Sequence, residues 1–126
     1  MKNSKDIGTR GEKLAAKYLR KHHYKIVDKN VHASHNEIDL IVKDKKFIVF
    51  VEVKTRSVDI NTVDVVSPAS AVTYSKQQRT VLAARAFLKK YNFSHLQPRF
   101  DVVEVYLNKE NGKMLQINHI SNAFGA

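Results

Sequence analysis

The segment from Asn36 to Arg56 constrains the fold more than any other part of the chain. It contains two runs rich in Val, Ile and Phe, residues 36–42 and 47–55, separated by four residues. Such runs are typical of strands, and so short a connection joins antiparallel neighbours. Both runs also carry carboxylates at positions where a strand normally buries apolar side chains. The segment therefore predicts a β-hairpin that carries a local cluster of acidic groups.

Alternation of side chains decides which of these groups share a face of the sheet. Glu52 and Lys54 share a face of the second strand, because successive side chains point to opposite sides. On the first strand, Asp39 shares a face with Ile41, and Ile38 takes the opposite face. The charged faces of the two strands coincide only in some registers of the hairpin.

The length of the loop sets that register. A loop of two residues (44–45) or four (43–46) pairs Glu37 with Glu52 and Asp39 with Phe50. Asp39 and Glu52 then become diagonal neighbours on one face, roughly 7–8 Å apart. A three-residue loop puts them on opposite faces, since a slip of one residue flips every side chain. A shared site therefore requires an even loop or a compensating bulge.

Three interpretations of these clustered carboxylates compete. The face is exposed and screened by nearby lysines, or the charges form a structural salt-bridge network, or the carboxylates hold a divalent cation. Hard oxygen ligands suit Mg²⁺ or Mn²⁺, and the backbone carbonyl of Val53 would add one more. Lys54 favours the cation, because its ammonium can orient a nucleophile or stabilise phosphate charge. Together these groups fit metal-assisted hydrolysis of phosphodiesters.

Composition bears on the partner and the compartment. Lys and Arg number 22 against 12 Asp and Glu, a net charge of +10, which favours nucleic acid over an anionic membrane surface or the ribosome. No run approaches the ~20 apolar residues of a membrane helix, and the opening residues lack a secretory signal. The chain has no Cys, which excludes thiolate chemistry and fits a cytoplasmic location. Its 126 residues predict a single domain, 1–126.

The remaining segments predict the order of the elements. Residues 5–23 have helical periodicity, and Thr9 and Glu12 have the spacing of a capping box, which would start the helix at Thr9. Strands are expected over 24–31, 36–42, 47–55, 99–107 and 113–120, a loop over 57–70 and a second helix over 72–91. The order α-β-β-β-α-β-β is typical of a mixed-sheet α/β domain.

A family resemblance rests on the hairpin and on its surroundings. Asp39, followed thirteen residues later by Glu52-Val53-Lys54, resembles the PD-(D/E)XK nuclease signature of restriction-endonuclease-like folds. The wider pattern resembles the YraN family of small bacterial proteins. It rests on residues 8–12, 37–40, 50–56, 99–103 and 119–124, together with Ala15, Tyr18, Leu19, Asn30 and Lys76. The resemblance implies an endonuclease-like protein whose fold is similar to that of archaeal Holliday-junction resolvases.

The resemblance also implies roles for individual residues. It implies that Asp39 and Glu52 bind Mg²⁺ or Mn²⁺, that Lys54 is catalytic and that Glu12 faces the same site. A role confined to capping the first helix is the alternative for Glu12. Assembly like that of the resolvases would give a two-fold homodimer. The chain departs from the family pattern at Asn36, where Gly is usual, and over residues 57–70, which lack the usual Gly.

Basic residues near the hairpin are candidates for contact with nucleic acid. Arg56 follows the predicted site along its strand, and the second helix opens with Lys76, Gln77 and Arg79. Lys76 and Arg79 are expected to meet phosphates and Gln77 to approach the site; a solvated helix face explains all three equally well. The expected function is that of a metal-dependent endonuclease acting on DNA, with selectivity for DNA structure as one option. The alternatives are a nucleic-acid-binding module with a silent or partner-activated site, and an interaction domain on an inherited fold.

Overall fold

The computed structural model describes residues 4–33, 35–62 and 72–125. The elements are α1 (Ser4–Lys21), β1 (Lys25–Ala33), β2 (Asn36–Lys43), β3 (Phe47–Val58), a short 3-10 helix (Ile60–Thr62), α2 (Tyr74–Lys90), β4 (Gln97–Asn108) and β5 (Met114–Phe124). The predicted order α-β-β-β-α-β-β is confirmed. The predicted loop over 57–70 begins later than expected, since β3 continues to Val58, and its second half lies outside the described residues. Within those three ranges, neither α1 nor α2 is long and apolar enough to cross a membrane.

The five strands form one mixed sheet in the order β1-β2-β3-β4-β5. β3 and β4 are parallel and stay in register over the whole of β3, from Phe47 opposite Gln97 to Val58 opposite Asn108. All other neighbouring strands are antiparallel. The parallel pair needs a crossover connection, and α2 lies in that connection. β3 is therefore the central strand and has a neighbour on each side.

One helix covers each face of the sheet. α1 buries Ala15 and Leu19 against a face that includes Val51 of β3. α2 buries Val81, Phe87 and their neighbours against the opposite face, which includes Phe50. Burial on both faces explains why β2 and β3 read as nearly continuous apolar runs. A charged side chain in the middle of β2 or β3 therefore lies between the sheet and a helix, largely out of solvent.

The predicted helix start at Thr9 is wrong. α1 begins at Ser4, so Thr9 and Glu12 both lie inside the helix and form no capping box. The earlier turn has tertiary support, because Ile7 packs against the core beneath α1, and such packing stabilises short helical segments more than local propensity does. Because Glu12 lies inside α1 and not at its start, the alternative that it only caps the first helix is wrong as well.

Gly11 brings α1 unusually close to β3. A Cβ atom at this position would overlap the side chain of Thr55. Glycine inside a helix costs about 1 kcal/mol relative to alanine, so its presence here is explained by the close approach. This contact brings the next residue, Glu12, beside the middle of the sheet.

The register of the β2–β3 hairpin differs by two residues from the predicted one. Ile41 lies opposite Phe50, so the predicted pairing of Asp39 with Phe50, and with it that of Glu37 with Glu52, is wrong. The condition that the loop be even is met, since Asp44 N–H donates to the Phe47 carbonyl oxygen at 3.0 Å and leaves a two-residue tip.

The turn chemistry explains this register. Asp44 Oδ1 accepts hydrogen bonds of 2.8 Å from the backbone N–H groups of both Lys46 and Phe47. Asp favours such side-chain turns, which places the tip at Lys45 and Lys46, one residue later than a tip at 44–45. The pairs of this register end at Leu40 and Val51, so Asp39 and Glu52 lie just past the last pair.

Strict alternation along β2 breaks at Asp39. Ile38 packs under α2 together with Ile41, whereas Leu40 packs under α1, so the predicted placement of Ile38 on the face of Leu40 is wrong. On the neighbouring strand β1, Asn30 faces Asp39 and has a φ of 48°. Asparagine tolerates this left-handed conformation better than most residues. The break at Asp39 and the left-handed residue Asn30 thus lie opposite each other on neighbouring strands. Past this point, the side chains of β2 that face α1 and α2 are exchanged.

Candidate active site

Backbone pairing between β2 and β3 stops at Leu40 and does not extend to Asp39. Its last pair is Leu40 with Val51. Beyond this pair, the Val53 N–H donates a 2.8 Å hydrogen bond to Oδ2 of Asp39. A buried side-chain carboxylate therefore takes the position that a backbone carbonyl would occupy in a continuing ladder. We call this end of the ladder the fork.

The carboxylate of Glu52 lies between two lysines. Its side chain is 8% exposed; Oε2 lies 4.0 Å from Nζ of Lys54 and Oε1 lies 3.6 Å from Nζ of Lys76. Lys54 comes from the same strand, and Lys76 comes from the first turn of α2. The N-cap fixes that turn, since Oγ1 of Thr73 accepts from the backbone N–H of Lys76 at 3.2 Å. When α2 folds in the crossover between β3 and β4, it thus brings the ammonium group of Lys76 next to the carboxylate of Glu52.

Glu12 approaches the fork from α1. Burial raises its pKa, and the negative charges of Asp39 and Glu37 raise it further. A side-chain hydrogen bond from Asn30 acts in the opposite direction. Glu12 therefore lies near Asp39, as the resemblance implies. The sequence analysis named Asn30 in the family pattern but assigned it no role in this site.

The two carboxylates at the fork have raised pKa values. Burial raises the pKa of Glu52 to about 7, and the charge of Asp39 adds to the shift, while Lys76 and Lys54 lower it. Burial also raises the pKa of Asp39, against the hydrogen bond from Val53 and the charge of Lys76. Burial and repulsion both disfavour the ionised pair, and a bound cation would relieve both costs.

The donors at the fork fit a hard divalent cation. Asp39 and Glu52 offer carboxylate oxygens. The C=O of Val53 points to the same edge of β3 as its N–H, and therefore toward Asp39. Across the described residues, no three His, Cys, Asp or Glu side chains converge as a complete ligand set. A Mg²⁺ ion held here would have two carboxylates as ligands and would complete its shell with water and phosphate oxygens.

A third buried carboxylate, Asp101 of β4, provides a contrast. It is fully buried and binds Arg99 at 2.8 Å, His119 at 2.7 Å and the backbone N–H of Asn122 at 2.9 Å. These hydrogen bonds and charges outweigh burial and lower its pKa. Asp101 is thus held in a structural ion pair with Arg99. Among the carboxylates that the structure describes, those with raised pKa values are Glu12, Asp39 and Glu52, all near the fork.

The structure separates the predicted nucleic-acid-binding residues. Lys76 lies beside the carboxylate of Glu52. Gln77 donates to the carbonyl oxygen of Val72 at 3.0 Å, and Arg79 donates to Ser75 at 2.9 Å on the exposed side of α2. These two side chains thus contact the N-terminal end of their own helix.

Arg56 lies beyond the fork along β3. It occupies the position beside Tyr106 in the parallel ladder, and its charge lowers the pKa of that tyrosine against the effect of burial. Its Nε is buried without a hydrogen-bond partner among the described residues. Arg56 is partly exposed and can present its guanidinium to a ligand that reaches this end of the sheet.

These features define a class of small α/β proteins with a mixed five-stranded sheet and a carboxylate–lysine cluster on its central hairpin. The sequence model of the family described as "Uncharacterised protein family UPF0102" matches residues 11–105, and the chain belongs to this family. The predicted resemblance to the YraN proteins, which form the same family, is confirmed.

Relatives match over nearly the whole chain. A UPF0102 protein of Caldanaerobacter subterraneus subsp. tengcongensis is 48% identical, with 97% of each chain covered. One from Geobacter metallireducens is 41% identical, with 97% of this chain and 94% of the relative covered. One from Caldicellulosiruptor saccharolyticus is 38% identical, with 97% and 99% covered.

Proposed function

We propose that this protein is a metal-dependent endonuclease that hydrolyses phosphodiester bonds of DNA, with Mg²⁺ or Mn²⁺ as its cofactor. The observation that carries the proposal is the buried pair Asp39 and Glu52 at the fork, with two lysines on Glu52. Paired carboxylates beside cationic side chains suit binding of a divalent cation together with a phosphate. The net charge of +10 suits the polyanionic substrate.

Asp39, Glu52 and the carbonyl of Val53 would hold the cation. When bound, it would offset phosphate charge and lower the pKa of the attacking water. Asp39 is fixed by its 2.8 Å bond from Val53, and Glu52 is fixed by burial in the central strand. The chain therefore positions two donors side by side, as a site for phosphoryl chemistry requires.

The lysines supply positive charge where the phosphate would bind. Lys54 has a side chain that is 32% exposed, so its ammonium can reach a phosphate while staying near Glu52. Lys76 reaches the same carboxylate from α2 with a side chain that is 26% exposed. Fixed cations at the reacting group stabilise the charge that develops on its oxygens.

Glu12 supplies a group that can exchange protons. It lies near Asp39, and its raised pKa makes it a stronger proton acceptor near neutral pH than an exposed glutamate. Asn30 orients this carboxylate through its side-chain hydrogen bond. We assign Glu12 to holding a water or a proton beside the fork.

Cleavage of a panel of labelled DNAs tests the proposal. The panel comprises a linear duplex, a flap, a four-way junction and a single strand, each incubated with Mg²⁺, Mn²⁺ or EDTA. We expect cleavage that requires metal and disappears in Asp39→Ala and Lys54→Ala. The control is Lys45→Ala, which removes an exposed lysine at the hairpin tip and should leave cleavage unchanged. Circular dichroism confirms that each variant is folded.

One observation favours a second function, that of a nucleic-acid-binding module with a silent or partner-activated site. Two ammonium groups already neutralise Glu52 within the protein. This alternative predicts DNA binding that weakens with salt, with no cleavage in either metal. That outcome in the same panel would overturn the proposal of a stand-alone enzyme.

A further inference from the structure

A cavity of about 370 Å³ lies away from the fork and its two carboxylates. It is formed between the first turns of α1, the end of β3 and the β4–β5 turn. Its apolar lining comes from Ile7 and Leu107, and polar lining comes from Arg10, Asn108 and the residues around them. This volume falls within the range of roughly 300–1,000 Å³ that is typical of pockets for small ligands. The cavity is therefore large enough for one small, partly apolar group.

The polar side of the cavity is rich in hydrogen-bond donors. Nε of Arg10 is buried and has no hydrogen-bond partner among the described residues. Lys109 adds a second cation to the lining, against one carboxylate from Glu110. The balance favours a ligand with acceptor atoms and negative charge.

Asn108 adds to this donor character. Its Oδ1 accepts from the backbone N–H of Glu110 at 2.8 Å. Its backbone N–H and carbonyl oxygen are bonded at 2.7 Å to Lys113 and Gly112 respectively. The turn thus uses both acceptors of this residue and its backbone donor. What the side chain retains for a ligand is its Nδ2 amide group, which is a donor.

A nucleotide matches both halves of the cavity. Inorganic phosphate would leave Ile7 and Leu107 without a partner, and a purely apolar ligand would leave the Arg10 guanidinium without one. A nucleobase offers a flat apolar face with acceptor atoms on its edge, and its phosphate offers negative charge. We propose that this cavity binds a single unpaired nucleotide of the DNA strand. The identity of the strand rests on the proposed function.

The cavity lies at the C-terminal end of β3, beyond the fork, which is near the middle of that strand. Ser57 of the lining follows Val53 by four residues, roughly 13 Å at about 3.3 Å per residue. This span equals about four base steps of a stacked strand. On the helix side, Arg10 and Glu12 flank Gly11, which contacts Thr55. A DNA strand bound at the fork would reach the cavity after about four such steps along β3, so we expect the preferred DNA to carry an unpaired nucleotide a few steps from the cleaved bond.

Nuclear magnetic resonance titrations of the full chain test this inference. The protein carries Asp39→Asn, and EDTA is present, so no cleavage occurs. The probes are dAMP, adenosine and inorganic phosphate. We expect dAMP to shift the backbone amides of Ser57, Asn108 and Gly112, and adenosine and phosphate to bind more weakly. Adding Arg10→Gln should weaken dAMP about tenfold, as loss of a charge-assisted hydrogen bond predicts. Arg10→Lys should lose less, and Lys45→Gln should have no effect.

Three results would overturn the inference. They are the absence of shifts at the cavity, equal binding of phosphate and dAMP, and equal binding of dAMP with and without Arg10→Gln. In the same background, DNA with one unpaired nucleotide should bind more tightly than a perfect duplex, and Arg10→Gln should remove the difference. Since these readouts need neither metal nor cleavage, they remain readable if the nuclease proposal fails, and cleavage by the wild type remains readable if they fail.

Discussion

Nζ of Lys76 lies 3.6 Å from Oε1 of Glu52, and this ion pair joins the first turn of α2 to the middle of the central strand. The two residues are far apart in the sequence and meet because α2 is the crossover between the parallel strands β3 and β4. The carboxylate that the hairpin buries is thus neutralised in part by the next helix. This links correct packing of α2 to the charge of the site.

Replacing Lys76 with Gln should weaken DNA binding and reduce its dependence on salt. A lysine that meets one phosphate contributes about one unit to the slope of log K against log salt. Fluorescence anisotropy with a labelled duplex in EDTA measures this slope over a range of NaCl concentrations. Arg85→Gln removes the same charge from an exposed position of the same helix and is the matched control. An unchanged slope for the Lys76 variant would contradict the phosphate contact.

The stability of the metal-free protein should fall as the pH rises from about 5 to about 8. The pKa of Glu52 is raised from 4.5 to about 7 in the folded state, so the folded protein binds more protons than the unfolded chain between these values. The stabilising contribution is complete below about 4.5 and is lost as the pH rises through about 7. The loss approaches about 3 kcal/mol.

Urea unfolding in EDTA at pH 5, 6, 7 and 8 measures this change. Glu52→Gln removes the titrating group and should flatten the decline in the free energy of unfolding. The matched control is Glu110→Gln, which replaces an exposed glutamate of the β4–β5 turn and should keep the wild-type slope. If the Glu52 variant declines as steeply as the wild type, another group is responsible.

Gly11→Ala should destabilise the protein, although alanine is normally the better helix former. Its Cβ would overlap the Thr55 side chain, and overpacking of this kind costs typically about 1–3 kcal/mol. Gly8→Ala, in the same helix with nothing within 4 Å, should stabilise by up to about 1 kcal/mol. Thermal and urea unfolding of both variants measures the difference. Equal effects of the two substitutions would contradict the close approach of α1 to β3.

Two substitutions at Asn30 separate its backbone role from its side-chain role. Asn30→Gly permits the φ of 48° but removes the hydrogen bond that lowers the pKa of Glu12. Its stability should change little, and the acidic limb of the cleavage pH profile should move to higher pH. Asn30→Val forces a β-branched residue into a left-handed conformation and should cost at least about 1–2 kcal/mol. Pre-steady-state cleavage from pH 5.5 to 8.5 and urea unfolding measure these outcomes; identical profiles for Asn30→Gly and wild type would remove Asn30 from the site.

That Asp39 and Glu52 lie close together was predictable, because an even loop brings both residues to the same part of the hairpin. The register itself was not, since loops at 43–46, 44–45 and 45–46 are all even. The choice among them depends on the two hydrogen bonds of Asp44, whose energies are small and local. Counting residues could not rank those loops.

Other features of the site depend on tertiary contacts that no local pattern reveals. The break in alternation at Asp39 involves the facing Asn30 on another strand. The start of α1 depends on Ile7 packing against the core, which overrides the capping signal at Thr9. The position of Lys76 depends on how the crossover seats α2, so the sequence predicted a basic helix start without its contact with Glu52.

The fork also bears on which ions the site can accept. Past Leu40 and Val51, β2 is tied to β3 at Asp39 by a single hydrogen bond to Val53, whereas β3 remains bonded to β4 in full register. A small outward movement of Asp39 would therefore stretch one bond and leave the central strand in place. The distance between the two carboxylates can therefore change through Asp39 while Glu52 stays in place. Such a site would accommodate cations of somewhat different radius without disturbing the core.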